Sequence, residues 1–280
     1  MKKTIGIIIT IIIILVGCSS AKKGVDNTSK PNVNDTTNKN SNLLESIDTT
    51  KSQFEKGYYF YNGTINNNIP IRMSIYPLEK DIVGTYHYES NKNVMNLKGK
   101  AGEKDIILYE YDETGKNTGI FEGIMSTVDR IEGTWISADN KISYPFVLKL
   151  EGGLPGAEYG KKYAQGVNNK SDQDVENFVS KIQSYIVNNK KQQLAEEIRY
   201  PINVKINGKA IKIQNKDDLI KNYDKIFTVD YKQAISKART KDLFANYQGI
   251  MVGDLGQIWI NDRTLTGDNS SKLMIIAINN

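Results

Sequence analysis

The sequence predicts two domains: an all-β antiparallel meander of eight strands, barrel-like, followed by an α+β domain. Three observations predict this. From Gly57 to Leu150 the apolar pattern has a period of two, with Ile69, Ile71, Met73 and Ile75 alternating with Pro70, Arg72, Ser74 and Tyr76. From Ser171 onward the period changes, and Val175, Phe178, Val179, Ile182, Tyr185 and Ile186 recur at helical spacing. Between the two lies Glu151–Lys170, rich in glycine and carrying Pro155, which reads as an interdomain joint.

At the N-terminus, the basic start Met1-Lys2-Lys3-Thr4 precedes an apolar run from Ile5 to Val16. Twelve residues suit a signal-peptide core and fall short of the ~20 that a membrane-spanning helix needs. Residues 1–17 are therefore expected to be a signal peptide. Leu15-Val16-Gly17-Cys18 resembles the lipobox of bacterial lipoproteins, and Cys18 is the one cysteine among 280 residues. The resemblance implies that the Cys18 thiol receives a diacylglycerol and becomes the first residue of the mature chain. Two acyl chains exceed the marginal membrane affinity of one, at about 0.8 kcal/mol per buried methylene. Residues 18–53 are then the lipidated cysteine and a disordered tether. Ser19–Asn42 lacks aromatics and is dominated by Asn, Thr, Ser, Lys and Asp, a composition that buries too little apolar surface to offset its ordering entropy. Such a chain reaches roughly 30 Å.

Residues 54–150 form the antiparallel β domain. Strands are predicted at Gly57–Ile65, Ile69–Tyr76, Asp81–Glu89, Asn93–Lys100, Asp105–Tyr111, Thr118–Met125, Arg130–Ser137 and Ile142–Leu150, separated by turn formers such as Asn66-Asn67-Asn68 and Asp112-Glu113-Thr114-Gly115. The links are too short for parallel crossovers, and eight meandering strands can close and so lose their exposed edges. The phrases Gly84-Thr85-Tyr86 and Gly133-Thr134-Trp135 resemble those of small barrels of the avidin and lipocalin kind.

Residues 151–170 are the joint. A phosphate-binding loop does not fit it, because Lys161 is followed by Lys162 instead of Ser or Thr and Pro155 stands where the first glycine belongs. Residues 171–280 are the α+β domain. Ser171 and Asp174 have capping-box spacing for the first helix. A short helix around Gln192–Ile198 follows, then a hairpin of Ile202–Ile206 and Lys209–Ile213 around Asn207-Gly208. Asn215 and Thr228 are placed to cap two further helices, and strands follow at Tyr247–Val252, Gln257–Asn261 and Lys272–Ile278. This order, with the segment from Asp242 to Gly253 and Gln257-Ile258-Trp259-Ile260, is similar to the nuclear transport factor two-like cone fold. The resemblance implies a curved antiparallel sheet around a long helix, with an apolar pocket.

Composition removes several functions. One cysteine and one histidine, His87, exclude internal disulfides and the usual Cys/His zinc sites, and neither metal nor cofactor is expected. Thirty-seven basic against 32 acidic residues, without a dense basic cluster, argue against nucleic acid as a partner. His87, in Tyr86-His87-Tyr88, reads as a surface strand residue facing away from the two tyrosines. Glu110, Asp112, Glu113 and Glu122 read as solvated hairpin charges, since their spacing does not follow a calcium-loop pattern. Trp135 and Trp259 read as strand core. Within the cone region the candidate ligand-pocket residues are Tyr223, Phe227, Trp259 and Asp254, although Asp254 between glycines also suits a turn.

No catalytic constellation emerges. The expected function is therefore that of a lipid-anchored extracytoplasmic envelope lipoprotein, a non-enzymatic binding module for a ligand, cell-wall component or partner protein. Its membrane contact is the acylated Cys18, and the Lys-, Asn- and Ile-rich composition points to a Gram-positive host. Two alternatives remain: an enzyme using the apolar pocket of the C-terminal domain, and an inhibitor or immunity-type lipoprotein.

Overall fold

The computed structural model describes residues 43–90, 93–167, 170–264 and 271–280. The signal peptide, Cys18 and the tether up to Asn42 lie outside the described residues.

Eight strands form a closed antiparallel barrel in simple meander order: β1 (Gly57–Ile65), β2 (Ile69–Leu78), β3 (Asp81–Tyr88), β4 (Val94–Ala101), β5 (Asp105–Tyr111), β6 (Asn117–Met125), β7 (Arg130–Ser137) and β8 (Ser143–Pro155). β1 closes the barrel against β8. Alternation decides which side chains turn inward. Tyr61, Met73, Ile75, Tyr86, Leu97, Leu108, Phe121, Ile131, Phe146 and Leu148 are all nearly inaccessible and pack into one core. Phe121 lies edge-on between Tyr86 and Phe146, with centroids 5.3 and 5.1 Å away.

Three sequence expectations change here. β8 does not end at Leu150. It continues through the glycines to Pro155, pairing Gly152 with Phe60 and Gly153 with Tyr59 beyond a bulge at Phe60/Tyr61, so the first residues of the predicted joint are barrel wall. Gly153 is needed there, because a Cβ on it would stand 2.5 Å from the Tyr58 carbonyl oxygen. The stretch from Leu43 to Gln53 is not tether either. Leu43, Leu44 and Ile47 cover an apolar patch of Ile107, Tyr109 and Ile120 on the outside of the barrel, and a 3₁₀ turn at Thr49–Lys51 is capped by the Asp48 side chain. Finally, Glu110 is no solvated hairpin charge but sits inside the barrel, 3% exposed.

A helix–sheet region follows, with a core of its own. Its elements are α1 (Asp172–Val187), α2 (Lys191–Ala195), β9 (Ile202–Ile206), β10 (Lys209–Ile213), α3 (Lys216–Ile226), α4 (Val229–Lys237), β11 (Phe244–Asn246), β12 (Gly249–Val252), β13 (Ile258–Thr264) and β14 (Ser271–Ile278). The capping box of Ser171 and Asp174 is formed at α1, and Asn215 and Thr228 cap α3 and α4. β9 and β10 pair around Asn207-Gly208, whose φ values of 53° and 75° are those that a tight primed turn requires. Strands β11 to β14 form a four-stranded antiparallel sheet in sequence order. The predicted strand Tyr247–Val252 starts two residues later, at Gly249, because Tyr247 and Gln248 turn the chain between β11 and β12. Ile250, Val252, Ile258 and Ile260 face the core with α1, burying Val175, Val179 and Ile182 among them. No helix among the described residues is long and apolar enough to cross a membrane.

Candidate functional site

The seam between barrel and helix–sheet region holds a cleft of about 740 Å³. One wall is the outer face of β1–β3, with Phe60, Asn62, Arg72, Ser74, His87 and Glu89, continued by Glu151–Leu154 of β8. The other wall comes from the chain around Asp242–Ala245 and from Met251, Gly253 and Asp254, with Lys162, Gln165 and Arg239 alongside.

Tyrosines fasten the seam. Tyr58, on the outer face of β1, donates its hydroxyl to Asp172 Oδ2 (3.1 Å) and accepts the Gly160 amide N–H (2.8 Å). Tyr76 donates to the Ala157 carbonyl oxygen (3.0 Å), and its ring packs between those of Tyr58 and Tyr159, at centroid distances of 4.8 and 5.3 Å. The described part of the joint is thus pinned to both sides. Its Tyr163 reaches into the core of the helix–sheet region, donates to Glu176 Oε1 (3.0 Å) on α1 and accepts the Leu243 N–H (3.2 Å). Leu243 and its neighbour Asp242 are held in place by this bond.

Asp242 stands at the centre. Its backbone adopts a left-handed conformation, φ 51°, which aspartate tolerates better than most side chains. Lys162 Nζ donates to its Oδ1 at 2.9 Å, and His87 Nδ1 lies 2.9 Å from its Oδ2. The second approach is at ion-pair distance without hydrogen-bond alignment. All three side chains are buried or nearly so: His87 is 1% exposed, Lys162 10% and Asp242 13%. Burial alone would push the Asp242 carboxyl upward. The Lys162 ammonium and the His87 contact outweigh this and hold it well below the usual carboxylate range. Burial likewise works against the Lys162 ammonium, but the Asp242 carboxylate more than offsets it and raises its pKa. Asp172 and Glu176 are shifted upward by burial, with Lys162 opposing the shift in both. Lys162 is therefore the cation that makes a cluster of buried acids tolerable.

Three buried polar atoms of cleft-wall residues have no hydrogen-bond partner: Asn62 Oδ1 and both ring nitrogens of His87. Arg72 pairs with Glu89 at 3.2 Å, whereas Arg239 makes no ion pair among the described residues. Among those residues no group of three His, Cys, Asp or Glu side chains converges as a metal site would require.

The sequence-derived pocket does not assemble. Tyr223 and Phe227 are fully buried with centroids 4.7 Å apart, and they fill the core where a pocket was expected. Tyr223 donates its hydroxyl to the Ile186 carbonyl oxygen (3.3 Å), so even its polar tip is committed. Trp259 is not core: it lies half-buried on the face of the sheet turned away from it, beside Met251. Of the four candidates only Asp254, an exposed turn residue, borders the cleft. His87 does point away from Tyr86 and Tyr88, but it is not a surface residue, because the helix–sheet region covers that face. Lys162 and Asp242 were missed as a pair; the one usable signal was a lone histidine in a chain otherwise without one.

Inside the barrel, Glu110 forms a second polar centre. It accepts from Tyr86 Oη (2.6 Å) and Trp135 Nε1 (2.7 Å) at Oε2, and from Thr118 Oγ1 (2.5 Å) at Oε1. These donors satisfy both oxygens, as a carboxylate that bridges strands from within requires.

No family model, curated protein or solved structure matches the chain.

Proposed function

We propose that this protein is an extracytoplasmic lipoprotein, anchored to the cell membrane through an acylated Cys18, that binds a ligand in the cleft between its barrel and its helix–sheet region. The observation that carries the binding half is the cleft itself: residues of both regions build it, and the Lys162–Asp242–His87 cluster holds its walls in one arrangement. A concave seam with a few placed polar groups is the usual form of a ligand site. The anchoring half rests on Leu15-Val16-Gly17-Cys18 and the apolar run before it. We also read the helix–sheet region as a variant of the nuclear transport factor two-like cone, supported by its four-stranded antiparallel sheet packed on α1, here with a filled interior.

Two experiments test these halves separately. Cys18→Ala should abolish incorporation of radioactive fatty acid and leave the chain with its signal segment; labelling equal to the native protein refutes the anchor. Gly152→Trp should block the cleft without harming the fold, since a Cβ at Gly152 meets nothing within 4 Å. Retention of the purified protein on isolated cell envelopes should fall at least ten-fold in this variant at unchanged thermal stability. Equal retention refutes the cleft as the binding site.

An acid–base enzyme is a second reading, favoured specifically by the carboxylate beside the His87 ring. It requires a movement that uncovers the imidazole, because at 1% exposure the ring touches no solvent. Turnover lost in His87→Gln with the fold intact would establish it.

A further inference from the structure

One strand of the cleft wall is paired on one side only. β7 accompanies β8 from Ser143 to Lys149, and the Leu150 N–H donates to the Asp129 carbonyl oxygen (2.8 Å) as the last link on that side. β1 continues alongside, opposite Gly152, Gly153, Leu154 and Pro155. Beyond Leu150 no described residue pairs with the other edge of β8 until the Leu154 carbonyl oxygen accepts the Ala157 N–H (3.2 Å). Successive residues of an antiparallel strand aim their N–H and C=O groups at opposite edges. Backbone groups within Glu151–Gly153 therefore face an open edge. All three residues are exposed, and all three line the cleft.

Gly152 marks the same place. Every other described glycine either has a left-handed φ or would bring a Cβ within 3.3 Å of a neighbour, whereas a Cβ on Gly152 meets nothing within 4 Å. The fold leaves this position open to any side chain, yet the backbone beside the cleft is bare. Bare strand backbone is where another backbone can approach closely. Charge narrows the class of that second chain. Arg72 pairs with Glu89 and Lys162 with Asp242. Arg239 is half-buried, whereas Glu151 and Asp254 are exposed and join no ion pair among the described residues. The charge offered to a ligand is negative.

Resting on the cleft-binding reading above, we infer that the cleft takes an extended basic segment of a partner polypeptide, which adds a strand to the open edge of β8 at Glu151–Gly153 and sets lysine or arginine side chains beside Glu151 and Asp254. In strand addition the main-chain bonds supply the affinity and the side chains tune it, so the demand on sequence is loose.

The test titrates the full-length protein, in mild detergent, with a fluorescent octapeptide of alternating lysine and valine, read by anisotropy. Binding should be saturable, and Gly152→Trp should abolish it. Two further peptides carry N-methyl groups on the lysines only or on the valines only. These two sets of N–H groups lie on opposite edges of an extended strand, so one peptide should lose binding and the other keep it within about two-fold. Glu151→Lys/Asp254→Lys alters two exposed residues and should keep the native thermal stability. It should weaken the lysine–valine peptide about ten-fold and bind an alternating glutamate–valine peptide better than the native protein does. Absence of saturable binding at millimolar concentration overturns the proposal. So does binding that survives both methylations or is lost in both, and so does binding indifferent to the charge reversal. If retention on cell envelopes nevertheless depends on Gly152, the peptide is overturned while the cleft stands. If Gly152→Trp leaves peptide binding unchanged, the strand site is overturned, and with envelope retention unchanged too the cleft reading falls with it.

Discussion

Lys162→Met should destabilise the protein by about 3–5 kcal/mol, the cost of leaving a buried carboxylate without its partner. Asp242 is nearly inaccessible, and its other neighbour, His87, supports the charge less than Lys162 does, since it approaches without hydrogen-bond alignment. The loss should be largely restored in Lys162→Met/Asp242→Asn, where neither charge remains. Urea denaturation of the two single variants and the double variant closes the cycle; a loss below about 1 kcal/mol for Lys162→Met would refute the central role of the pair. The effect also has a pH signature. Asp242 is held below its ordinary value of 3.8, so its contribution is present above that value and is lost as pH falls below about 4, where the unfolded chain takes up the proton first. Asp172 and Glu176, shifted upward from 3.8 and 4.5, act in the opposite sense: their contribution is present below those values and is lost as pH rises through their folded-state values. Lys162 opposes that upward shift, so removing it harms the protein more at neutral than at acid pH. The stability gap between native and Lys162→Met protein should therefore narrow as pH drops from 7 to 3.

Glu110→Ala should cost about 2–5 kcal/mol, because it strands two donors at about 1–3 kcal/mol each and weakens a third. Thr118 and the Trp135 indole N–H lose their acceptor, and Tyr86 keeps only its longer bond to the Tyr88 hydroxyl (3.3 Å). Glu110→Gln keeps one oxygen and should lose less. Because Trp135 bonds Glu110 directly, its emission should shift in both variants. Equal stability of Glu110→Ala and native protein, with unchanged emission, would show that the carboxylate does not hold the strands.

The two centres differ in how far the chain announces them. The strand that carries Glu110 was readable, since Asp105–Tyr111 is a short run of β-branched, aliphatic and aromatic residues and a turn follows. Its burial was not, because a glutamate near a hairpin of acidic residues has the same local pattern whether it points in or out. Only closure of the barrel brings Tyr86 and Trp135 from β3 and β7 to its oxygens. At the seam, alternation placed His87 opposite Tyr86 and Tyr88 correctly, yet it carries no information about what lies over that face. Asp242 and Lys162 sit far from His87 in the chain, one in a turn and one in a glycine-rich segment, and share no spacing with it. Tyr223 and Phe227 failed in the opposite way: their helical spacing marks an apolar face, and the same spacing serves a filled core and an open pocket alike.

Local chemistry by itself settled the elements: the period-two meander, the capped helices, the Asn207-Gly208 hairpin and the division near the glycine-rich stretch. These depend on neighbours within a few residues, where periodicity, caps and turn residues act. The tertiary structure alone decided that β8 runs on to close the barrel, that the joint is pinned by Tyr58 and Tyr76, and that His87, Lys162 and Asp242 meet across a cleft. Such contacts join distant parts of the chain, and their energy comes from burial and charge pairing that exist only once both surfaces are in place.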